Sequence, residues 1–222
     1  MKKYYEIELF HWAGMLSDNV DQVKEILKEH PEYLTATNKI GDNCLLVAIQ
    51  SGNINIVKYL IQHTNIDVNF QFTDKFDIPG DNALMCSISN SKKEITEFIL
   101  ENTTIKIEAI NSKGKNVYHL ASFKGDADLI EKLIKIDGGK GLNTLDKNNQ
   151  HCLYDFIDNY LKSKDLWCLD LILESIDSKS LLSKNKDGLN IVEYIQKKME
   201  DNTLVVRDYK PILYVITDKM SN

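Results

Sequence analysis

The chain has 222 residues, 43% of them hydrophobic, enough apolar material for a substantial core in one domain or two. Its formal net charge is −6 with both signs interspersed, which excludes a broad nucleic-acid-binding surface, because that would show as a basic excess. The longest uninterrupted apolar run, Cys44–Ile49, is far short of the ~20 residues of a spanning helix, so membrane insertion is not expected.

Lys2 and Lys3 open the chain as a signal peptide would, but Glu6 and Glu8 interrupt the apolar stretch that should follow. Leu9–Gly14 predicts a short first helix, and Val20, Val23, Ile26 and Leu27 form the apolar stripe of a second. Pro31, within His30-Pro31-Glu32, stops that second helix. The next stretch, Gly41–Ile61, predicts two helices back to back. Gly41 closes a turn, Asn43 can cap the first helix through its side-chain oxygen, and Leu45, Ala48 and Ile49 share one face. Gly52-Asn53 breaks this helix, and Ile56, Val57, Leu60 and Ile61 make the stripe of the next. Helices this short are marginal alone in water, so the pair needs neighbours of its own kind.

The chain supplies them. GDNCL at 41–45 is followed by GDNAL at 80–84, GKNVY at 114–118, NQHCL at 149–153 and GLNIV at 188–192, at steps of 39, 34, 35 and 39 residues. In the fourth of these Asn149 stands in the glycine place. Apolar stripes follow at Ile95/Ile99/Leu100, Leu129/Ile130/Leu133/Ile134 and Cys168/Leu169/Ile172/Leu173. Extra residues around Leu161–Asp165 predict a lengthened loop between two helices. The last unit is expected to hold helices near Asn190–Glu200 and Asp208–Thr217, around a polar break at Asp201–Thr203. A helix–turn–helix at this period is the mark of a stacked solenoid.

These residues resemble the ankyrin repeat, whose period is about 33 residues and whose first helix opens near T-P-L-H-x-A. The second unit is most similar, with Gly41-Asp42-Asn43-Cys44-Leu45, then Gly52-Asn53, then Ile66-Asp67-Val68-Asn69. The fourth keeps the family histidine in Asn116-Val117-Tyr118-His119-Leu120-Ala121. The resemblance implies an all-α ankyrin-repeat solenoid of stacked helix-turn-helix units with protruding turn fingers. It forms a single domain over 1–222: an N-terminal cap at 4–37, units at 38–69, 70–108, 109–145 and 146–184, and a C-terminal cap at 185–222. Asn replaces the family Thr in four units and the family proline is absent, departures expected to weaken the helix starts.

Chemistry-bearing patterns are few. Asp137-Gly138-Gly139-Lys140-Gly141 lacks the spacing of a phosphate loop and falls where the family makes a turn. The cysteines Cys44, Cys86, Cys152 and Cys168 form no CxxC pair, which fits buried free thiols in a reducing, cytoplasmic setting where the formal sequon Asn102-Thr103-Thr104 carries no glycan. The histidines and cysteines never cluster at ligand spacing, so neither a metal nor a cofactor is expected. His119 holds a position that is structural in the family, and Cys152 aligns with the packing positions Cys44, Ala83 and Val117.

The resemblance implies a non-catalytic module that binds a partner protein on the concave face of the stack, as a monomer. Capped stand-alone arrays of this kind also occur as bacterial effectors secreted into a host cytosol to act on host proteins. The alternative is a cysteine-dependent hydrolase or transferase within the divergent segment 145–222. Carried over by position, the concave face includes Asp42, Gln50, Asp81 and Asn90. The partner-binding residues expected to matter most are Phe70, Phe72 and Phe76 on a finger about five residues longer than usual, with Phe123 flanked by Lys113, Lys115 and Lys124. Phe70 and Phe72 alternate with polar residues as in a short hairpin arm. The finger aromatics either anchor a partner or pack on each other over the widened groove.

Overall fold

The computed structural model describes residues 8–72, 80–201 and 206–221, which hold helices and no strand. The chain divides into two compact bodies, Met1–Ser112 and Lys113–Asn222.

In the first body, α1 (Glu8–Gly14) and α2 (Val20–Glu29) make the opening pair, and a 3-10 turn at Pro31–Thr35 follows the break at His30. The next pairs are α3 (Cys44–Ser51) with α4 (Ile54–His63), and α5 (Ala83–Ser89) with α6 (Lys93–Asn102). First helices pack on first helices, α3 on both α1 and α5, while α4 lies between α2 and α6. Leu9, Leu45, Ile49, Ile56, Leu60, Leu84, Ile95 and Ile99 fill the space between them. The opening pair is tied to its neighbour by side-chain caps. Asp18 accepts the backbone N–H groups of Asn55 and Ile56, both at 3.0 Å, and Asn53 Nδ2 donates to the carbonyls of Ala13 (2.8 Å) and Met15 (2.6 Å).

The second body repeats the plan. Its pairs are α7 (Val117–Lys124) with α8 (Ala127–Asp137), α9 (Cys152–Ser163) with α10 (Leu166–Ser175), and α12 (Ile191–Asp201) with α13 (Val206–Ser221). A short α11 (Ser178–Leu182) follows α10 and buries Leu181. The residue closing each turn lies in the left-handed region: Gly41 at φ +91°, Gly80 at +64°, Gly114 at +77°, Asn149 at +60° and Gly188 at +76°. Asparagine visits that region more readily than other residues with a side chain, which is why Asn149 can replace the glycine. At Gly114 the close approach matters as well, because a Cβ there would meet the Lys147 backbone nitrogen at 2.9 Å.

Three expectations need correction. The asparagines before the first helices do not weaken them. Asn43, Asn82, Asn116 and Asn190 each accept the backbone N–H three residues on, at 3.0, 3.0, 3.2 and 3.0 Å, as strong N-caps do. The extra residues near Leu161–Asp165 do not lengthen a loop. They extend α9 to Ser163, since nothing in Leu161-Lys162-Ser163 breaks a helix, and the chain then turns within Lys164-Asp165. The last helix, α13, overruns the expected 208–217 at both ends. The expected polar break falls partly on 202–203, outside the described residues.

Asn190 makes a reciprocal cap, since its own N–H also donates to Glu193 Oε2 at 2.8 Å. Asn190→Ala is expected to lower stability by about 1 kcal/mol, read as a shift of the urea midpoint at unchanged slope.

Candidate functional site

In the first body the residue after each turn glycine reaches the residue eight places later. Asp42 Oδ2 accepts from Gln50 Nε2 at 2.8 Å, and Asp81 Oδ2 accepts from Ser89 Oγ at 3.0 Å. Asp81 Oδ1 also accepts from Asn111 Nδ2 at 2.8 Å. These contacts hold both carboxylates against a pocket of about 100 Å³ lined by Asp42, Leu46, Gln50, Phe72, Gly80, Asp81, Cys86 and Asn90. Asp42 is only 7% exposed, and burial raises its carboxyl pKa above the ordinary range. Hydrogen bonds from Gln50 and Asn38 oppose that shift, and the charge of Asp81 adds to it. Burial first, and then the two carboxylates, push the Cys86 thiol up to about 12.

Phe72 is half-buried and walls this pocket. Its ring lies so close over Gly41 that a Cβ there would sit 1.8 Å from it. Phe70 is half-buried beside it in sequence, and Gln71 Nε2 pins the stretch by donating to the carbonyls of Gly80 (2.9 Å) and Ile110 (3.0 Å). Phe76, and with it most of the expected hairpin arm, lies outside the described residues.

In the second body Phe123 stands eight places after Lys115, at the position of Gln50 and Ser89, and is 42% exposed. Lys113 and Lys124 are exposed as well. The Lys115 ammonium pairs with Asp155 and lies 3.9 Å from Asp146 Oδ2, both carboxylates being nearly buried. Burial raises Asp155 to a pKa of about 6, against the pull of Lys115. The lysine rim expected around Phe123 therefore has one member whose charge is already met inside the body.

One exposed aromatic escaped sequence reasoning. Trp167 is 49% exposed two residues into the cap of α10, where α4, α6 and α8 carry Asn55, Glu94 and Asp128. The signal in the sequence is the contrast itself, an aromatic residue where the other second helices carry Asn55, Glu94 and Asp128.

The remaining chemistry is structural. His119 Nδ1 lies 2.7 Å from Asn116 Oδ1 and 3.2 Å from the Asn116 backbone nitrogen, and its Nε2 lies 3.1 Å from the Gln150 carbonyl, so both ring nitrogens are engaged within the body. Burial lowers its pKa to about 4. His151 is fully buried, and its ring nitrogens make no well-formed hydrogen bond among the described residues, although the Ser180 backbone is placed to favour the charged ring. Burial foremost, then the charge of His119, lowers its pKa to about 3. All four thiols are buried and pushed up by that burial, to about 12 for Cys44 and Cys168 and higher for Cys152. In the glycine-rich turn Asp137 accepts the N–H groups of Gly139 (2.7 Å) and Gly141 (3.1 Å) and the Tyr118 hydroxyl. The backbone donors a phosphate would need are thus already used. Among the described residues, no three side chains of His, Cys, Asp or Glu gather as metal ligands, and no helix is long and apolar enough to cross a membrane.

Comparison with known proteins agrees with this geometry. Residues 10–111 match a family model described as ankyrin repeats, in three copies. The structure is similar to an ankyrin repeat domain from Acinetobacter baumannii AYE, with a TM-score of 0.70 and 20% identity over 96% of this chain and 98% of that one. At that identity the likeness concerns the fold. No curated protein matches the chain.

Proposed function

We propose, for a chain that carries ankyrin repeats, that it is a non-catalytic module binding a partner protein through the exposed faces of its first helices. Ankyrin stacks generally serve protein–protein interaction, and the surface reused by unrelated ligands is set by the exposed residues of each chain. One observation supports the reading most. Phe123 presents a large aromatic ring to solvent at a position where two other repeats present a polar side chain tied to its own turn. Aromatic residues of this kind are over-represented among interface anchors, and Lys113 and Lys124 supply a positive rim that would mainly speed association.

The cysteine-enzyme alternative fares worse on physical grounds. A nucleophilic cysteine needs an accessible thiolate, and Cys152 and Cys168 are buried thiols whose ionisation is suppressed.

Affinity capture with mass spectrometry supplies the partner, and Phe123→Ala supplies the test. That variant is expected to weaken binding by about 1–2 kcal/mol while its urea transition stays in place. Unchanged affinity in Phe123→Ala, with a loss in Glu97→Ala on α6, would move the interface elsewhere.

A further inference from the structure

We propose that the pocket walled by Phe72 in the first body receives an arginine side chain of the partner, its guanidinium seated between Asp42 and Asp81. The inference rests on the binding-module reading and names the chemistry one of its subsites takes.

Asp42 and Asp81 share a place in the repeat, and the later repeats carry Lys115, Gln150 and Leu189 there, so the paired carboxylates belong to this pocket alone among the turns. Among the described residues the hydrogen-bond donors that hold the two groups are neutral: Gln50, Asn38 and Asn111 and the hydroxyl of Ser89. They fix the carboxylates in orientation without cancelling their charge. Two anions brought together at the mouth of one small cavity, one of them 7% exposed, favour a cation that can meet both. The walls narrow the choice of cation. Leu46 and Phe72 offer apolar and aromatic surface, which suits a planar, weakly hydrated guanidinium that stacks on rings and donates in several directions better than a compact ammonium. A pocket of about 100 Å³ has room for the end of such a side chain. Phe72 packs closely over Gly41, and Gln71 fastens the adjoining backbone to Gly80 and Ile110, which fixes the place of this wall.

The experiment is an amide chemical-shift titration of the full chain with N-acetyl-arginine amide, beside the lysine and citrulline amides as probes. Arginine is expected to shift the amides of Asp42, Gly80, Asp81 and Cys86 in the millimolar range. Lysine should bind several-fold more weakly, and citrulline, the neutral isostere, should leave these amides in place. Asp81→Asn is expected to weaken the arginine response about tenfold, with the remaining spectrum unchanged. Asp42→Asn should act likewise, and because that carboxyl is buried, Asp81→Asn carries the test where Asp42→Asn does not fold. Equal responses to arginine and citrulline, or an arginine response that survives Asp81→Asn, would overturn the assignment. Partner affinity separates this failure from that of the binding module. If Phe123→Ala weakens partner binding and Asp81→Asn does not, the module stands and the arginine subsite falls.

Discussion

Replacing Lys115 with methionine is expected to destabilise the second body by about 3 kcal/mol at pH 7, the usual consequence of leaving one half of a buried ion pair alone. Lys115 is the paired cation of Asp155, whose carboxylate is 7% exposed and whose ionisation is already opposed first by burial. Without the lysine, Asp155 must either stay charged in a poorly solvated place or take up a proton. The loss should therefore shrink as the pH is lowered toward 5, where protonation removes the unpaired charge. Lys115→Met combined with Asp155→Asn should recover much of the stability, since the closer carboxylate is then neutral and Asp146, 3.9 Å from the lysine, keeps the backbone N–H groups of Asn148 and Gln150. A urea midpoint unmoved by Lys115→Met, or a double variant no better than the single one, would show that the pair is not the support described. The result also bears on binding. Lys115 holds its own body together, so Lys124, exposed beside Phe123, is the lysine whose substitution reports on a partner.

Acid is expected to weaken the second body by about 4 kcal/mol between pH 7 and pH 4, and three buried groups set the sign. His119 and His151 have folded pKa values of about 4 and about 3, below the ordinary 6.5. The unfolded chain binds their protons more readily, so the stability they permit is complete above about 6.5 and is lost as the pH falls toward those values. Asp155 works in the opposite direction. Its folded pKa of about 6 lies above the ordinary 3.8, so the folded state gains stability as the pH falls through that window and offsets part of the histidine loss. Two histidines against one carboxyl leave a net loss. His119 is held between the Gln150 carbonyl, Lys115 and Asp146, whereas His151 is buried more unfavourably for a charge, feels the charge of His119 and is offset only by the Ser180 backbone. His151 also occupies the cap position that Asn43, Asn82, Asn116 and Asn190 fill elsewhere. His151→Asn should accordingly flatten the loss between pH 7 and pH 4 by about half or more, measured as urea midpoints at the two values. An acid slope identical to that of the parent chain would contradict the assignment of His151.

The parts of this molecule legible in the sequence are those written in local spacing. Gly41, Gly80, Gly114 and Gly188 mark turns that need a left-handed residue, and Asn149 could be placed among them because asparagine tolerates that geometry. The caps were half legible. Asn43 is readable as a cap, yet reading asparagine in place of the family threonine as a weaker start underrates Asn82, Asn116 and Asn190, because asparagine ranks at least level with threonine as a cap. Long-range pairing was not legible. Lys115 read as a surface cation because Asp155 lies 40 residues away, and only the stacking of α7 on α9 brings the two together. The same holds for Phe72 over Gly41 and for the acidic pocket, whose lining comes from two repeats and the finger between them. The loop expected around Leu161–Asp165 became helix because polarity alone does not stop a helix when no glycine or proline intervenes.

Photo-crosslinking tests most directly whether a protein partner docks over Phe123. Benzoylphenylalanine is placed at position 123 in one version of the chain and at position 167 in another, since Trp167 is an aromatic of the same body with similar exposure. Irradiation of cells that produce each version, followed by denaturing purification, shows which position lies against another protein. The binding face proposed here predicts a discrete adduct from position 123 and none from position 167. An adduct from position 167 alone, or none from either, would contradict it.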